Sequence, residues 1–265
     1  MYAREWRGVD LTTLPAARDA STRPAGPALY KQFYEALQAR ERRPDPTWAH
    51  NKVRLGEFIS TEILNRWRQR HGRSPRILAL AVGEGLAEGV WLEQGWNVTL
   101  QEAQRVSLGK LNEKFPNAPS VIGDLRQLGD IGKYDIVAIL ASEYVLDREE
   151  LKSMFRKVRT WLTEEGCFLV VSVSVLSLRQ WAVEILKVFS GQRRRTPHVF
   201  WGWWRSPGEF RQIGADAGLT LTSVYRESPN ARTNPTMKLR SRTGQAWPLL
   251  RDTSLLMLFQ ANGSH

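Results

Sequence analysis

The stretch ILALAVGEGLAEGVWLEQGWNVTLQEA, residues 77–103, decides the fold. It opens with the short apolar run ILALAV (77–82), turns at Gly83 and Gly85, continues from Leu86 to Gln94, and ends in the extended run NVTLQE (97–102). An apolar run stopped by glycines reads as a buried strand, the segment after it as a helix, and NVTLQE as a second strand. Gly83 and Gly85 let the backbone turn sharply and approach a ligand that a Cβ would exclude. The helix that follows presents free N–H groups at the same place. Glu102 closes the second strand, 19 residues beyond Gly83, where a carboxylate can accept from both hydroxyls of a ribose. Strand, GxG turn, helix, strand and acid in one unit point to an adenosine-type ligand at the carboxyl ends of the strands.

The same texture continues downstream. A helix is expected over about 105–114, strands at SVIGD (120–124) and YDIVAIL (134–140), a helix from Arg148 to Leu162, and a strand at CFLVVSVSV (167–175). Nearly continuous apolar strands alternating with helices argue for a parallel sheet covered on both faces. The expected fold class is therefore α/β, a doubly wound, mostly parallel seven-stranded sheet. After Val175 the pattern loosens into a helix (about 178–189), the basic-aromatic segment QRRRTPHVFWGWWRSP and a helix from Pro207 to Ala217. The remaining strands are LTLTSVY (219–225) and SLLMLFQ (254–260).

Upstream, helical spacing of Tyr30, Phe33, Tyr34 and Leu37 marks one helix over 28–42. Val53, Phe58, Ile59, Ile63, Leu64 and Trp67 mark another over about 51–71, after the break RRPDPTW. The first 26 residues, rich in Ala, Pro, Ser and Arg, read as a flexible arm. The expected organisation is an arm over 1–26, a helical cap over 27–74, and a domain over 75–262 with substrate-facing insertions at about 176–206 and 226–251.

With 42% hydrophobic and 25% charged residues among 265, collagen-like, low-complexity and wholly disordered classes are excluded. A single cysteine, Cys167, supplies neither an internal disulfide nor a cysteine-based metal site, and no metal is expected. The longest apolar run, Cys167 to Leu178, is broken by serines and falls short of the ~20 residues of a spanning helix. The start MYAREWRGVD carries no apolar signal core, so a soluble cytoplasmic protein is expected. The net charge of +11 is unevenly placed: +6 over residues 1–73, −2 over 74–190 and +8 over 191–251. Basic flanks around a near-neutral core suggest that what enters between them is anionic.

The chain resembles the class I S-adenosylmethionine-dependent methyltransferases. The resemblance runs in order through ILALAVGEG (77–85), VTLQE (98–102), Gly123-Asp124, YDIVAILASEYVL (134–146) and WLTEEGCFLVV (161–171). FWGWWRSPGEFRQIGADAGLTL (200–221) is similar to the aromatic, Ser/Thr-Pro-Glu-Glu, Ala-Gly-Phe segment that often precedes the sixth strand of that family. The resemblance implies S-adenosyl-L-methionine as cofactor. Ala81, Gly83 and Gly85 would form the turn along its methionine moiety, Glu102 would bind the ribose diol and Asp124 would accept from the adenine amino group. Leu125 and Leu140 would flank the adenine ring. Two positions depart from the family pattern: Ala79 stands where an acid is usual and Ala81 where a glycine is, so that a Cβ crowds the turn. Either cofactor affinity is weakened or another acid, such as Glu84 or Glu143, takes over the role.

Methyl transfer asks for positioning and, where the acceptor carries a proton, a base. Glu143, Tyr144 and His198 are the catalytic candidates. His50, Asn51, Lys52 and Arg54 precede or open the second helix, where a cation either meets a cofactor carboxylate or belongs to a solvated helix start. Trp201, Trp203, Trp204 and Arg205 are the substrate candidates, because aromatic faces stack on planar rings or sugars and arginine binds carboxylate or phosphate. The leading reading is a methyltransferase of a small or glycan-type, anionic acceptor. Its alternatives are an RNA methyltransferase, which would make nucleic acid a partner, and a non-catalytic binding or scaffold protein with a degenerate cofactor pocket.

Overall fold

Strand β1 (Arg76–Leu80) sits at the centre of the sheet, and its last four residues are fully buried. Ile77 and Ala79 face one layer of helices while Leu78 and Leu80 face the other, the alternation that a pleated strand imposes. The computed structural model describes residues 2–19, 26–39, 46–172, 199–226, 238–240 and 255–261, with four positions between 182 and 189. The other strands are β2 (Asn97–Glu102), β3 (Ser120–Ile122), β4 (Tyr134–Leu140), β5 (Leu162–Ser172), β6 (Leu219–Arg226), β7 (Lys238–Arg240) and β8 (Leu255–Ala261). Their order in the sheet is β7-β6-β8-β5-β4-β1-β2-β3. From β3 to β5 every pairing is parallel. Strand β8 runs antiparallel to β5 and to β6. This is the expected doubly wound sheet, with one strand more than foreseen: β7 pairs with β6 at the edge. Chain order reverses between β1 and β4, the switch point where such sheets open a crevice.

Helices cover both faces. Helix α1 (Pro27–Gln38) starts with proline at its first turn, and α2 (Pro46–Ile59) does likewise, passing through a π turn (Ser60–Leu64) into α3 (Asn65–His71). The break RRPDPTW thus ends earlier than the sequence suggests, because Pro46 opens a helix where its missing N–H costs nothing. Helices α4 (Leu86–Glu93) and α5 (Gly109–Lys114) follow β1 and β2. Residues 105–108 are a 3-10 turn instead of the first turn of one longer helix. Helix α6 (Arg148–Trp161) carries a capping box, Asp147 and Glu150 each accepting the other's backbone N–H at 2.8 Å. Ser206 caps α7 (Pro207–Asp216). Helices α2 and α4 pack with Trp91, Trp96 and Ile77 on one side, and α6 and α7 with Leu78, Val137 and Phe168 on the other. Each such buried side chain contributes about 1.5–3 kcal/mol.

The corner between α3 and β1 is held by Asp135 of β4, which accepts from Arg73 at 2.7 and 2.8 Å and from the Arg76 N–H at 2.9 Å. Burial raises the carboxyl's pKa, but these donors outweigh it and hold it below its ordinary value. No helix among the described residues is long and apolar enough to cross a membrane.

The expected flexible arm is corrected over residues 2–19. Tyr2–Ala3 pairs antiparallel with Val199–Phe200, and Glu5–Trp6 with Val9–Asp10. Leu11–Thr13 and Pro15–Asp19 form 3-10 turns. Val9, Leu11 and Leu14 are buried with Leu29 and Phe33 of α1 and with Trp201. Nothing local marks these apolar residues as core, since the surface that buries them is assembled from α1 and from the distant Tyr144, Val199 and Trp201. Most of the helix expected at 178–189, and most of the 226–251 insertion, lie outside the described residues.

Candidate active site

The carboxyl end of β1 runs into three left-handed residues, Ala81 (φ 49°), Gly83 (φ 62°) and Gly85 (φ 65°). A Cβ on Gly83 would lie 2.6 Å from the Tyr34 hydroxyl, and one on Gly85 2.4 Å from Leu111 Cδ2. Ala81 does not abolish the turn: it adopts the left-handed region, at a cost of about 1–2 kcal/mol. Two bonds hold it there. Its N–H donates to Gln101 Oε1 at 3.1 Å, and its carbonyl accepts from Ser142 Oγ at 3.1 Å. Gln101 is fully buried and also donates to Gly123 O at 2.7 Å, so one side chain ties the ends of β1 and β3 together.

Glu102, at the tip of β2, accepts the Gly83 N–H on Oε2 and the Ala103 N–H on Oε1, each at 2.7 Å. Burial raises its pKa above the ordinary value, against the pull of those N–H donors. The acid therefore fixes the glycine turn and lines the cleft at once. Asp124 accepts the Arg126 N–H at 2.9 Å, and Arg126 Nε donates to Glu150 at 2.6 Å.

Two adjoining lobes open above these strand ends. The first, about 790 Å³, is lined by Ala81, Glu102, Asp124 and Leu125. The second, about 1310 Å³, is lined by Gly83, Gly85, Leu140, Lys52, Glu88 and Trp201. Tyr30, Tyr34, Ser142 and Tyr144 line both. Burial raises the pKa of all three phenols, so they remain protonated donors at neutral pH. The seven residues expected at a cofactor are thus brought to one cleft, with Glu102 at the join between the glycine turn and the lobe that holds Asp124 and Leu125.

The roof comes from the N-terminal segment and residues 199–205. Trp201 is 1% exposed, its ring centroid 5.0 Å from Tyr30, 5.2 Å from Phe33 and 5.9 Å from Trp6. The Trp203 N–H donates to Tyr144 O at 2.8 Å, and a Cβ on Gly202 would lie 2.6 Å from the same carbonyl oxygen. Arg7 pairs with Glu84 of the glycine turn.

The remaining candidates fall elsewhere. Glu143 is fully buried and lines neither lobe, so it is badly placed to take a proton from a ligand there. Arg205, 2% exposed, donates to Glu143 O at 3.2 Å and to Leu146 O, with Glu209 at 3.8 Å. It braces the 143–146 loop instead of meeting a substrate, and burial lowers its pKa. Trp203 is 38% exposed, packed edge-on against Phe200, and neither it nor Trp204 lines a lobe. His198 lies outside the described residues. Sequence reasoning passed over Gln101, Ser142, Tyr30, Tyr34 and Glu88. For Gln101 a signal existed, an uncharged polar side chain at the carboxyl end of the strand beside Glu102. Tyr30 and Tyr34, four apart on a helix, carried only the signal of a core face.

The sheet, its switch point and the glycine turn define the class I methyltransferase fold. Among solved structures, the chain is similar to magnesium protoporphyrin IX methyltransferase of Synechocystis PCC 6803 with bound SAH, at 14% identity and a TM-score of 0.55, covering 88% of this chain and 94% of that one. It is also similar to mitomycin 7-O-methyltransferase (13%, 0.56; 93% of this chain, 60% of that one). The CcbJ methyltransferase from Streptomyces caelestis compares at 16% and 0.55, covering 86% and 96%. No family model matches the sequence, and no curated protein matches it.

Proposed function

We propose that the protein is an S-adenosylmethionine-dependent methyltransferase of a small-molecule acceptor. The observation that carries this reading is Glu102, which pins Gly83 through its backbone N–H while facing a lobe it shares with Asp124 and Leu125. The donor set fits such a cofactor: carboxylates suit a ribose diol and an adenine amino group, and the cleft lacks the repeated glycines that a pyrophosphate needs. When bound, the cofactor supplies an activated methyl group on a sulfonium. Glu102 would hold the diol, Asp124 the adenine amino group, Leu125 the ring, and the Ala81–Gly85 turn the amino-acid end, while Leu140, expected at the ring, lines the lobe of the glycine turn instead. Tyr144, neutral and lining both lobes, would orient the acceptor through its O–H. Trp201 would form the acceptor wall, and the roof would keep water out. Two of the solved neighbours are named for small-molecule substrates, magnesium protoporphyrin IX and mitomycin, which supports this acceptor class.

The anionic character expected of the acceptor gains nothing from Arg205. Arg7, Lys31, Lys52 and Arg126 line the lobes beside Glu84, Glu88, Glu102 and Asp124, a balance that does not favour an anion. A binding protein that holds the cofactor without transferring methyl is the second reading, favoured by the burial of Glu143 away from the lobes. Calorimetric titration with S-adenosylhomocysteine tests the first part: saturable binding is expected, and absence of heat or thermal shift refutes both readings. Methyl transfer to a panel of small acceptors then separates them.

A further inference from the structure

Ala79 is buried and apolar, so β1 places no carboxylate beneath the second lobe. Two charged side chains from separate elements stand there instead. Glu88, in the first turn of α4, is 4% exposed and lines the lobe, while its inward neighbours Ala87, Val90 and Trp91 are all apolar. Lys52 reaches the same lobe from α2 and donates to Leu140 O at 3.2 Å. The two helices are in close register, since a Cβ on Gly56 of α2 would lie 2.6 Å from Ala87 O of α4. The other acids named for this role are accounted for: Glu84 is paired with Arg7, and Glu143 lies outside both lobes. A buried carboxylate on an otherwise apolar helix face is costly unless it meets a cation.

The geometry points to Glu88 and Lys52 as a clamp for a zwitterionic amino-acid terminus, Glu88 accepting from the ammonium group and Lys52 meeting the carboxylate. The clamp makes the glycine-turn end of the cleft selective for ligands that carry both groups. It rests on the cofactor reading above and adds to it the residues that select for the amino-acid terminus. Burial pushes the Glu88 carboxyl up to about 7, with Lys52 of α2 lowering it and Glu102 of β2 raising it. Its charge is therefore gained within the ordinary working range of pH, and an arriving ammonium favours the ionised form.

Two ligands separate the clamp from the rest of the site: S-adenosylhomocysteine, with an amino-acid terminus, and methylthioadenosine, without one. In the full chain, Glu88→Gln and Lys52→Met are each expected to weaken S-adenosylhomocysteine at least tenfold and to leave methylthioadenosine within twofold. Wild-type affinity for S-adenosylhomocysteine should also rise between pH 6 and pH 8, while that for methylthioadenosine stays flat. This pH profile needs no variant to fold. Unchanged S-adenosylhomocysteine binding in the variants, or equal loss of both ligands with a flat pH profile, overturns the clamp. Wild-type binding of methylthioadenosine but not S-adenosylhomocysteine overturns it while sparing the adenosine reading. Binding of neither ligand overturns both.

Discussion

The floor and the roof of the cleft are built on opposite principles. The floor is a local unit: Glu102 grips Gly83 across 19 positions, and Gln101 holds Ala81 across 20. The roof joins residues far apart in the chain, as when the Tyr30 hydroxyl donates to Trp201 O, 171 positions away, at 3.4 Å. Polar atoms with defined partners fix the floor. Aromatic packing, two short strand pairs, a few hydrogen bonds and ion pairs such as Arg7–Glu84 fix the roof. A turn pinned by side-chain hydrogen bonds survives a substitution such as Ala81, because Gln101 and Ser142 hold its N–H and its carbonyl. A roof assembled by burial depends on the few large side chains at its centre.

Trp201→Ala should break this contrast most severely. Removing a ring packed against Trp6, Tyr30 and Phe33 is expected to cost about 3–5 kcal/mol, measured by denaturant unfolding; a loss below about 1 kcal/mol would mean the roof does not depend on its centre. Gly202→Val drives a side chain into the Tyr144 carbonyl and should cost about 1–3 kcal/mol. On the floor, Glu102→Ala leaves the Gly83 and Ala103 N–H groups without their acceptor. It is expected to weaken S-adenosylhomocysteine at least tenfold, about 1.4 kcal/mol; unchanged affinity there and in Asp124→Ala would remove the site assignment. Ala81→Gly relieves a left-handed alanine and should stabilise the protein by up to about 1 kcal/mol in thermal unfolding, with cofactor affinity kept or improved. Destabilisation would show that the alanine is better fitted than its backbone angle implies. Arg7→Ala strands Glu84 in a pair whose side chains are only 14% and 13% exposed, so faster proteolysis of residues 2–19 is expected, and an unchanged cleavage rate would show that the pair does not hold the roof.

Most of the floor was legible in the sequence. The strands, the glycine turn and Glu102 announce themselves through period, spacing and residue type, Asp124 only through the family resemblance, and the structure brings them to one cleft. Arg205 shows where such reading fails. An arginine beside tryptophans looks like a ligand-binding cation, but the side chain turns inward to the carbonyls of residues 143 and 146, a partner no spacing rule supplies. Residues 2–19 fail for a related reason: their apolar residues follow no period, so only the surface that α1 and the distant Trp201 together form identifies them as core.

By itself the sequence determined the doubly wound sheet and the glycine turn at its switch point, because both arise from backbone geometry and hydrophobic period within a hundred consecutive residues. Tertiary structure alone decided which charged side chains face the cleft, that the N-terminal segment is its roof, and that Trp201 is buried in that roof while Trp203 is partly exposed. Those outcomes turn on burial, which depends on what the rest of the chain places overhead.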